Sequence, residues 1–169
     1  MNTVSDEMPV DVVDSHDHPM GVVPRREVLP LKAGFRVAHD LIFNSHGDLL
    51  VQQLSEGRAR HPGQWGSSVA AYLFSGESYE EAARRRLREE LGISIPLTFI
   101  GKTSMDDDGS RKFIGVFTGS ADGPFRYDRQ HIGSLEFLPV RKIQHLMGET
   151  VRRFTPTFRK VFEFYQSIR

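Results

Sequence analysis

The sequence predicts a single α+β domain in which helices flank a mixed β-sheet. Three observations lead to this prediction. Several short apolar segments separated by turn residues precede one strongly capped helix, further strand-like segments follow that helix, and two amphipathic segments end the chain. An order in which strands and helices do not alternate strictly is typical of a mixed sheet with helices on its faces. At 169 residues the chain is long enough to bury a sizeable core as one domain.

The first half of the chain predicts paired strands. Turn-forming residues fill positions 14–19 and 44–48, so each stretch is expected to connect the two strands of a hairpin. Residues 58–66 contain His-Pro-Gly and Trp65 and predict an irregular loop. The predicted strands of this half cover residues 10–13, 21–23, 35–43, 49–53 and 67–74.

The helix that follows has the clearest sequence signals. Ser78 is a favourable N-cap, and Glu81 three residues later completes a capping box. Apolar side chains recur at four-residue spacing and predict a buried stripe, and Gly92 is expected to end the helix. The stripe consists of Tyr79, Ala83, Leu87 and Leu91.

Beyond this helix the pattern returns to strands and then to helices. A turn is expected at residues 105–109, between two of the strands. The predicted strands cover residues 97–103, 111–118 and 134–137, and the predicted helices cover residues 140–147 and 156–168. The last helix is expected to bury Phe158, Val161, Phe162 and Tyr165.

Composition and charge exclude several classes of function. The 22 acidic and 22 basic residues balance, so no overall field would draw the chain to nucleic acid. The chain lacks cysteine, which excludes disulfides, thiolate zinc sites and a cysteine nucleophile. No apolar run approaches the roughly 20 residues that a membrane helix needs, and the N-terminus lacks an apolar signal core. We therefore expect a cytoplasmic protein without nucleic-acid or membrane partners.

The segment at residues 76–93 admits two interpretations. Its glutamates and arginines fall at four-residue spacing, and such pairs stabilise an exposed helix by about 0.2–0.5 kcal/mol each. The second interpretation uses placement, because Glu77 lies just before the N-cap and Glu90 lies one turn beyond Arg86. Magnesium ions bridge a few carboxylates to substrate phosphates, and a neighbouring arginine binds phosphate oxygens. The segment is thus either a charged surface helix or a site for a metal ion and a diphosphate.

The same segment resembles the Nudix box, Gly-x5-Glu-x7-Arg-Glu-apolar-x-Glu-Glu-x-Gly-apolar, when it is anchored on Gly92-Ile93. The similarity extends over roughly residues 10–140 and favours the branch of isopentenyl-diphosphate isomerases and related hydrolases, as the stretches at 38–44, 47–51 and 62–65 illustrate. The residues that match the box are Glu77 at its first glutamate, Arg85 at its arginine, Leu87 at its apolar position, and Glu89 and Glu90 at its final pair.

This resemblance implies an α/β/α sandwich and hydrolysis of a diphosphate linked to another moiety, with Mg²⁺ or Mn²⁺. It implies that Glu77, Glu89 and Glu90 hold the metal, with Glu90 and Glu89 as the catalytic carboxylates. Arg58 and Arg86 match diphosphate-binding positions of the isomerases. The indole of Trp65 suits stacking on a substrate base or capping of the cleft, and equally a place in the core.

The domain organisation expected from this resemblance is simple. Residues 1–9 form a flexible tail, and residues 10–169 form a single Nudix domain. Within that domain we expect an N-terminal hairpin, a core and C-terminal helices. These parts cover residues 10–30, 31–140 and 141–169.

The departures from the family pattern matter as much as the matches. Ala71 stands at the opening glycine of the box, and Arg86 stands where Nudix hydrolases carry a key metal-binding glutamate. Isomerases also carry arginine at this second position, where it helps to hold the diphosphate. The positions that supply acid–base and metal-binding groups in the isomerases here fall on or near Phe35, Ala70, Tyr72, Ser110 and Lys112. Allylic isomerisation therefore lacks its expected proton donor and metal ligands.

Three hypotheses of function remain open at this stage. The leading one is a Nudix hydrolase that acts on a small nucleoside- or prenyl-linked diphosphate with a divalent metal. The second is an isomerase-like enzyme with a replaced catalytic acid. The third is a non-catalytic module that binds a diphosphate or a protein partner. The sequence leaves a homodimer open and does not name the substrate.

Overall fold

The computed structural model describes residues 3–149 and 153–169 of the chain. Within these ranges the protein forms nine β-strands and four α-helices. The strands are β1 (Pro9–Val13), β2 (Pro19–Pro24), β3 (Phe35–Phe43), β4 (Leu49–Leu54), β5 (Trp65–Gly66), β6 (Val69–Tyr72), β7 (Thr98–Asp107), β8 (Ser110–Ser120) and β9 (Ile132–Leu138). The helices are α1 (Thr3–Glu7), α2 (Tyr79–Leu91), α3 (Val140–Met147) and α4 (Pro156–Ser167). Within the described residues, no helix is long and apolar enough to cross a membrane.

Seven of the strands form one mixed sheet. Its main order is β5-β4-β3-β8-β7, with β6 also paired to β3 and β9 also paired to β4. Strands β3 and β8 run parallel, and the other pairs of this sheet are antiparallel. Strands β1 and β2 form a separate antiparallel hairpin. The mixed sheet predicted from the order of elements is therefore confirmed.

Two hydrophobic clusters attach helices to the two faces of the sheet. Strand β3 shows the division, because its side chains alternate between faces: Leu41 belongs to the cluster under α4 and Ile42 to the cluster under α2. Helix α2 contributes Ala82, Ala83, Leu87 and Leu91, and helices α3 and α4 contribute Ile143, Phe158, Val161 and Phe162. The result is a helix–sheet–helix sandwich, as expected.

Helix α2 begins and ends where the sequence predicts. The Ser78 hydroxyl accepts a hydrogen bond from the Glu81 amide at 3.1 Å, and the Glu81 carboxylate accepts one from the Ser78 amide at 2.9 Å. The helix ends at Gly92, which has a φ of 69°. A Cβ atom at Gly92 would lie 2.8 Å from the carbonyl oxygen of Arg126, so glycine is favoured here by both conformation and space.

A buried carboxylate ties the β1–β2 hairpin to the sheet and to α2. Asp17, in the hairpin turn, is 6% exposed and accepts hydrogen bonds from Arg36 (2.6 Å), Lys102 (2.6 Å) and the Tyr79 hydroxyl (2.8 Å). Burial alone would raise the pKa of Asp17, but these three donors outweigh it and lower the pKa. The contacts fix the hairpin beside the first turn of α2.

Three segments differ from the sequence-based expectations. The predicted tail at residues 1–9 contains helix α1 and the start of β1, and its first two residues lie outside the described part of the chain. Arg25 anchors α1 through an ion pair with Asp6 and a hydrogen bond to the Ser5 carbonyl. Strand β7 continues through Asp107, so the predicted turn at 105–109 shortens to two residues. The predicted strand at 67–74 narrows to β6. Residues 150–152 of the predicted C-terminal helical region also lie outside the described residues.

Candidate functional site

The candidate site lies where the last two turns of α2 approach β4. Glu90, in the last turn, is only 2% exposed. Arg86, one turn earlier, places its Nη2 2.9 Å from Glu90 Oε2. Gln52 on β4 donates from Nε2 to Glu90 Oε1 at 3.1 Å and to the Ser68 carbonyl at 2.8 Å. A guanidinium and an amide therefore hold this buried carboxylate from two sides.

The other two glutamates of the helix segment are also bound to arginines. Glu89 Oε1 accepts hydrogen bonds from Arg85 Nη1 and Arg86 Nη1, each at 3.1 Å. Arg85 reaches back to Glu77, with Nε 2.8 Å from Oε2 and Nη2 3.1 Å from Oε1. The Phe74 amide also donates to Glu77 Oε1, at 2.8 Å. Glu77 thus connects the loop before α2 to the middle of the helix.

Arg58 approaches the same region from the loop between β4 and β5. It forms no ion pair with a described residue, and its Nη1 donates to the His131 carbonyl at 3.3 Å. Burial lowers the pKa of Arg58; Glu90 opposes this effect, and the charges of Arg86 and Arg25 add to it. Arg58 is therefore a half-buried guanidinium without an ion-pair partner among the described residues, although Glu90 and Asp128 favour its charge. We call Arg58, Arg86, Glu90 and Gln52 the α2 cluster.

Asp40 on β3 lies beside the α2 cluster and was not predicted as a site residue. Its side chain is fully buried, and neither carboxylate oxygen has a hydrogen-bond partner. Burial raises the pKa of Asp40 from 3.8 to about 8, and the nearby charge of Glu90 contributes to the rise. Asp40 is thus an uncharged acid at neutral pH. The one sequence signal was an aspartate inside an apolar strand, before Leu41-Ile42-Phe43.

The arrangement does not fit the metal site expected from the sequence. Among the described residues, no group of three or more His, Asp or Glu side chains is placed to hold a metal ion. Glu77, Glu89 and Glu90 each accept hydrogen bonds from an arginine instead. For Glu89 and Glu90 the physical reason is Arg86, which brings a positive charge to the position where the Nudix box has a glutamate, and Glu77 is bound by Arg85. The three predicted ligands therefore do not form a cation site in this structure.

Trp65, which was predicted to contact the substrate, does not lie at the α2 cluster. Trp65 pairs with Gln53 across β4 and β5, whereas the next pair is Gln52 with Gly66. Side chains of paired residues lie on the same face, and successive residues alternate. Since Gln52 faces Glu90, Trp65 faces the other side, where it packs against the cluster under α4. Of the six predicted site residues, the structure brings Arg58, Arg86, Glu89 and Glu90 together, links Glu77 to Glu89 through Arg85, and places Trp65 apart.

A second polar cluster lies on the opposite face of the sheet. Arg60 binds Asp107 with two hydrogen bonds of 2.8 and 3.2 Å. The Lys112 ammonium lies 2.7 Å from Asp107 Oδ2 and donates to the Thr157 hydroxyl at 2.8 Å. Burial would raise the pKa of Asp107, but hydrogen bonds from Arg60 and Lys112 hold it well below its usual range. We call Arg60, Asp107, Lys112 and Thr157 the Lys112 cluster.

His39 accompanies the Lys112 cluster on this face. Its Nδ1 lies 2.8 Å from the Ser67 hydroxyl, and both side chains are buried. Burial lowers the pKa of His39 from 6.5 to about 3, and the charge of Lys112 lowers it further. The imidazole is therefore neutral at pH 7, like the carboxyl of its neighbour Asp40 on the other face.

The comparison with known families decides the classification. The model of the NUDIX domain matches residues 35–158, which is most of the chain. The chain belongs to the Nudix family. Its α2 is the helix of the Nudix box, and it supplies Arg86 and Glu90 of the α2 cluster. Nudix proteins typically use divalent metals, and the departure of this member is Arg86, which binds Glu89 and Glu90 from the position of a metal-binding glutamate.

Individual relatives agree with this family and with its isomerase-like branch. A Pseudomonas aeruginosa protein named as an uncharacterized Nudix hydrolase is 35% identical over 127 residues, 75% of each chain. An isopentenyl-diphosphate Δ-isomerase of Pectobacterium atrosepticum is 28% identical over 169 aligned positions, which cover 95% of this chain and 94% of the isomerase. A crystal structure from Deinococcus radiodurans shares the fold with a TM-score of 0.81 at 22% identity, covering 95% of this chain and 98% of that one.

Proposed function

We propose that this Nudix protein acts on a small organic diphosphate and binds its phosphate oxygens through Arg58 and Arg86. The observation that supports the proposal is the unpaired charge of Arg58. Burying a guanidinium without an anion is costly, and a phosphate group beside Arg86 would supply that anion. Guanidinium groups bind phosphate with two parallel hydrogen bonds.

Arg86 suits this role because its carboxylate partners orient it without enclosing it. Its two terminal nitrogens contact Glu89 and Glu90, and an arginine has five N–H donors. Although burial lowers the pKa of Arg86, Glu90 and Glu89 outweigh burial and raise it. The guanidinium is therefore charged, held in place, and able to donate further hydrogen bonds.

Hydrolysis is the reaction that membership of the Nudix family favours. Water attacks one phosphorus atom, the bridging P–O bond breaks, and the leaving group departs with that oxygen. Glu89, whose side chain is 45% exposed next to Arg86, is placed to accept the proton from water, and Glu90 is too buried to meet water directly. When Mg²⁺ or Mn²⁺ binds in such reactions, it supplies positive charge to the phosphate oxygens. The glutamates of this chain are not free for it, so the metal is a variable of the test.

The test combines binding and turnover. Nucleoside and prenyl diphosphates are titrated into the protein, and phosphate release is measured with Mg²⁺ and with EDTA. We expect Arg58→Gln and Arg86→Gln to weaken binding. Arg84→Gln is the matched control, because Arg84 is 54% exposed and pairs with Glu80 on the outer side of the same helix. Failure of every diphosphate to bind would refute the proposal, and binding without phosphate release would leave a non-catalytic module.

An isomerase-like activity is the second candidate, favoured by the similarity to the Pectobacterium isomerase over nearly the whole chain. The local chemistry is less favourable, since Ala70 offers no acid and Tyr72 stacks on Phe35 with ring centres 5.4 Å apart. Incubation with isopentenyl diphosphate in heavy water separates the two candidates. Deuterium in the recovered diphosphate would support isomerisation, and its absence would exclude it.

A further inference from the structure

We propose that α2 carries its own cations in place of a divalent metal, so that a diphosphate binds at Arg58 and Arg86 without Mg²⁺. This inference rests on the proposed diphosphate site and adds its metal independence. It comes from the contacts that two consecutive arginines, Arg85 and Arg86, make with the predicted metal-binding glutamates.

The first arginine, Arg85, contacts two of the three carboxylates. Arg85 contacts both oxygens of Glu77 and one oxygen of Glu89. The same guanidinium donates to the Tyr72 carbonyl at 2.9 Å and lies 4.0 Å from the centre of the Phe74 ring. Arg85 is therefore fixed by two carboxylates, a carbonyl and an aromatic face. These contacts compete with a metal ion for the oxygens of Glu77.

The second arginine closes off the buried carboxylate. Arg86 contacts Glu90 Oε2, and Gln52 donates to Glu90 Oε1, so both oxygens already have N–H partners. The side chain of Glu90 is 3% exposed. A cation would have to replace a guanidinium at a buried charge, and removing one partner of a buried pair is strongly unfavourable.

Arginine side chains supply the positive charge that a divalent ion would otherwise bring to these glutamates. Arg85 and Arg86 carry two positive charges among Glu77, Glu89 and Glu90, as a divalent ion would. Arg58 then adds a charge that forms no ion pair with a described residue, although Glu90 and Asp128 favour its charged form. A diphosphate therefore meets fixed guanidinium groups rather than a metal ion. Replacing Arg86 with glutamate would change the local charge by two units and release Glu90, which would make the site one that needs a cation.

The experiment measures two probes, inorganic pyrophosphate and Mn²⁺, by calorimetry and by the electron paramagnetic resonance signal of free Mn²⁺. For the wild-type protein we expect pyrophosphate to bind at least as tightly in EDTA as in Mg²⁺, and no bound Mn²⁺. For Arg86→Glu we expect bound Mn²⁺ and pyrophosphate binding that requires a divalent ion. Arg84→Glu makes the same charge change on the exposed face of α2 and should behave as wild type.

The outcomes separate the inference from the function on which it rests. Wild-type binding of pyrophosphate only with Mg²⁺, or wild-type binding of Mn²⁺ that Glu90→Gln abolishes, would overturn metal independence and leave the diphosphate site standing. No pyrophosphate binding under either condition would overturn both. If Arg86→Glu does not fold, the wild-type comparison still decides, and Arg86→Gln should weaken pyrophosphate binding without acquiring Mn²⁺.

Discussion

Arg58 and Arg60 belong to the same loop, between β4 and β5, but their surroundings differ. Arg60 lies in the Lys112 cluster, where Asp107 accepts from both Arg60 and Lys112. Arg58, two residues earlier, reaches the opposite face of the sheet and finds no described carboxylate partner. Both cations of the Lys112 cluster contact the carboxylate directly, whereas Arg58 forms no ion pair with a described residue. From this difference we expect the Lys112 cluster to stabilise the fold, and we propose that the α2 cluster binds an anion.

The largest loss of unfolding free energy is expected from breaking the Lys112 cluster. Asp107→Asn removes the anion that compensates Lys112, whose side chain is 9% exposed. Removing one partner of a buried ion pair typically costs about 3–5 kcal/mol of unfolding free energy. Denaturant unfolding measures the loss, with the exposed Asp106→Asn as control. Equal stability of the two variants would show that the Lys112 cluster is not a stabilising element. Pyrophosphate affinity of the folded fraction should not change.

A smaller change in unfolding free energy, of opposite sign, is expected from a substitution of Asp40 on the other face of the sheet. The folded-state pKa of Asp40 is about 8, above its ordinary 3.8, so the folded protein keeps a proton that the unfolded chain loses. Stability from Asp40 is complete below about pH 4 and falls as the pH rises towards 8. Asp40→Asn does not titrate, so it should be more stable than wild type at pH 8, by about 1–4 kcal/mol.

The measurement is the unfolding free energy of both proteins as a function of pH. The advantage of Asp40→Asn should shrink as the pH falls and vanish near pH 4. A constant difference across the range would contradict the assignment of Asp40 as a buried neutral acid.

Arg58 should separate affinity from stability. A charge-assisted hydrogen bond contributes about 1.5–3 kcal/mol, so Arg58→Gln is expected to weaken pyrophosphate binding by about tenfold or more. Because the variant removes an unpaired half-buried charge, its unfolding free energy should be equal to that of wild type or higher. Calorimetry and denaturant unfolding give the two quantities. Lower stability with unchanged affinity would place Arg58 in the same class as Arg60.

The smallest effect is expected from Trp65. This side chain packs on the face of the sheet opposite Glu90, so Trp65→Phe should cost some packing energy and leave pyrophosphate affinity unchanged. A titration of the variant checks this expectation. A clear loss of pyrophosphate affinity would show that Trp65 contributes to ligand binding, and would contradict the assignment of binding to the face under α2 alone.

Local signals predicted much of the fold. The bounds of β3 and α3 match the pattern, and the capping box and Gly92 define α2 as expected, because these features depend on neighbouring residues. The Nudix classification was also predicted. The surroundings of individual side chains were harder to predict from the sequence. Arg60 and Asp107 are 47 residues apart, and the face of the sheet on which Trp65 lies depends on the register of β5. His39 and Asp40, whose pKa values are shifted by burial, lie within an apolar strand pattern, which was the one sequence signal for their burial.

The most direct test of the α2 cluster is a calorimetric titration of the wild-type protein and Arg86→Gln with inorganic pyrophosphate in EDTA. We expect saturable binding to the wild type and markedly weaker binding to the variant, because Arg86 and Arg58 would hold the phosphate oxygens. Absence of wild-type binding, or full affinity in Arg86→Gln, would contradict the proposed anion site.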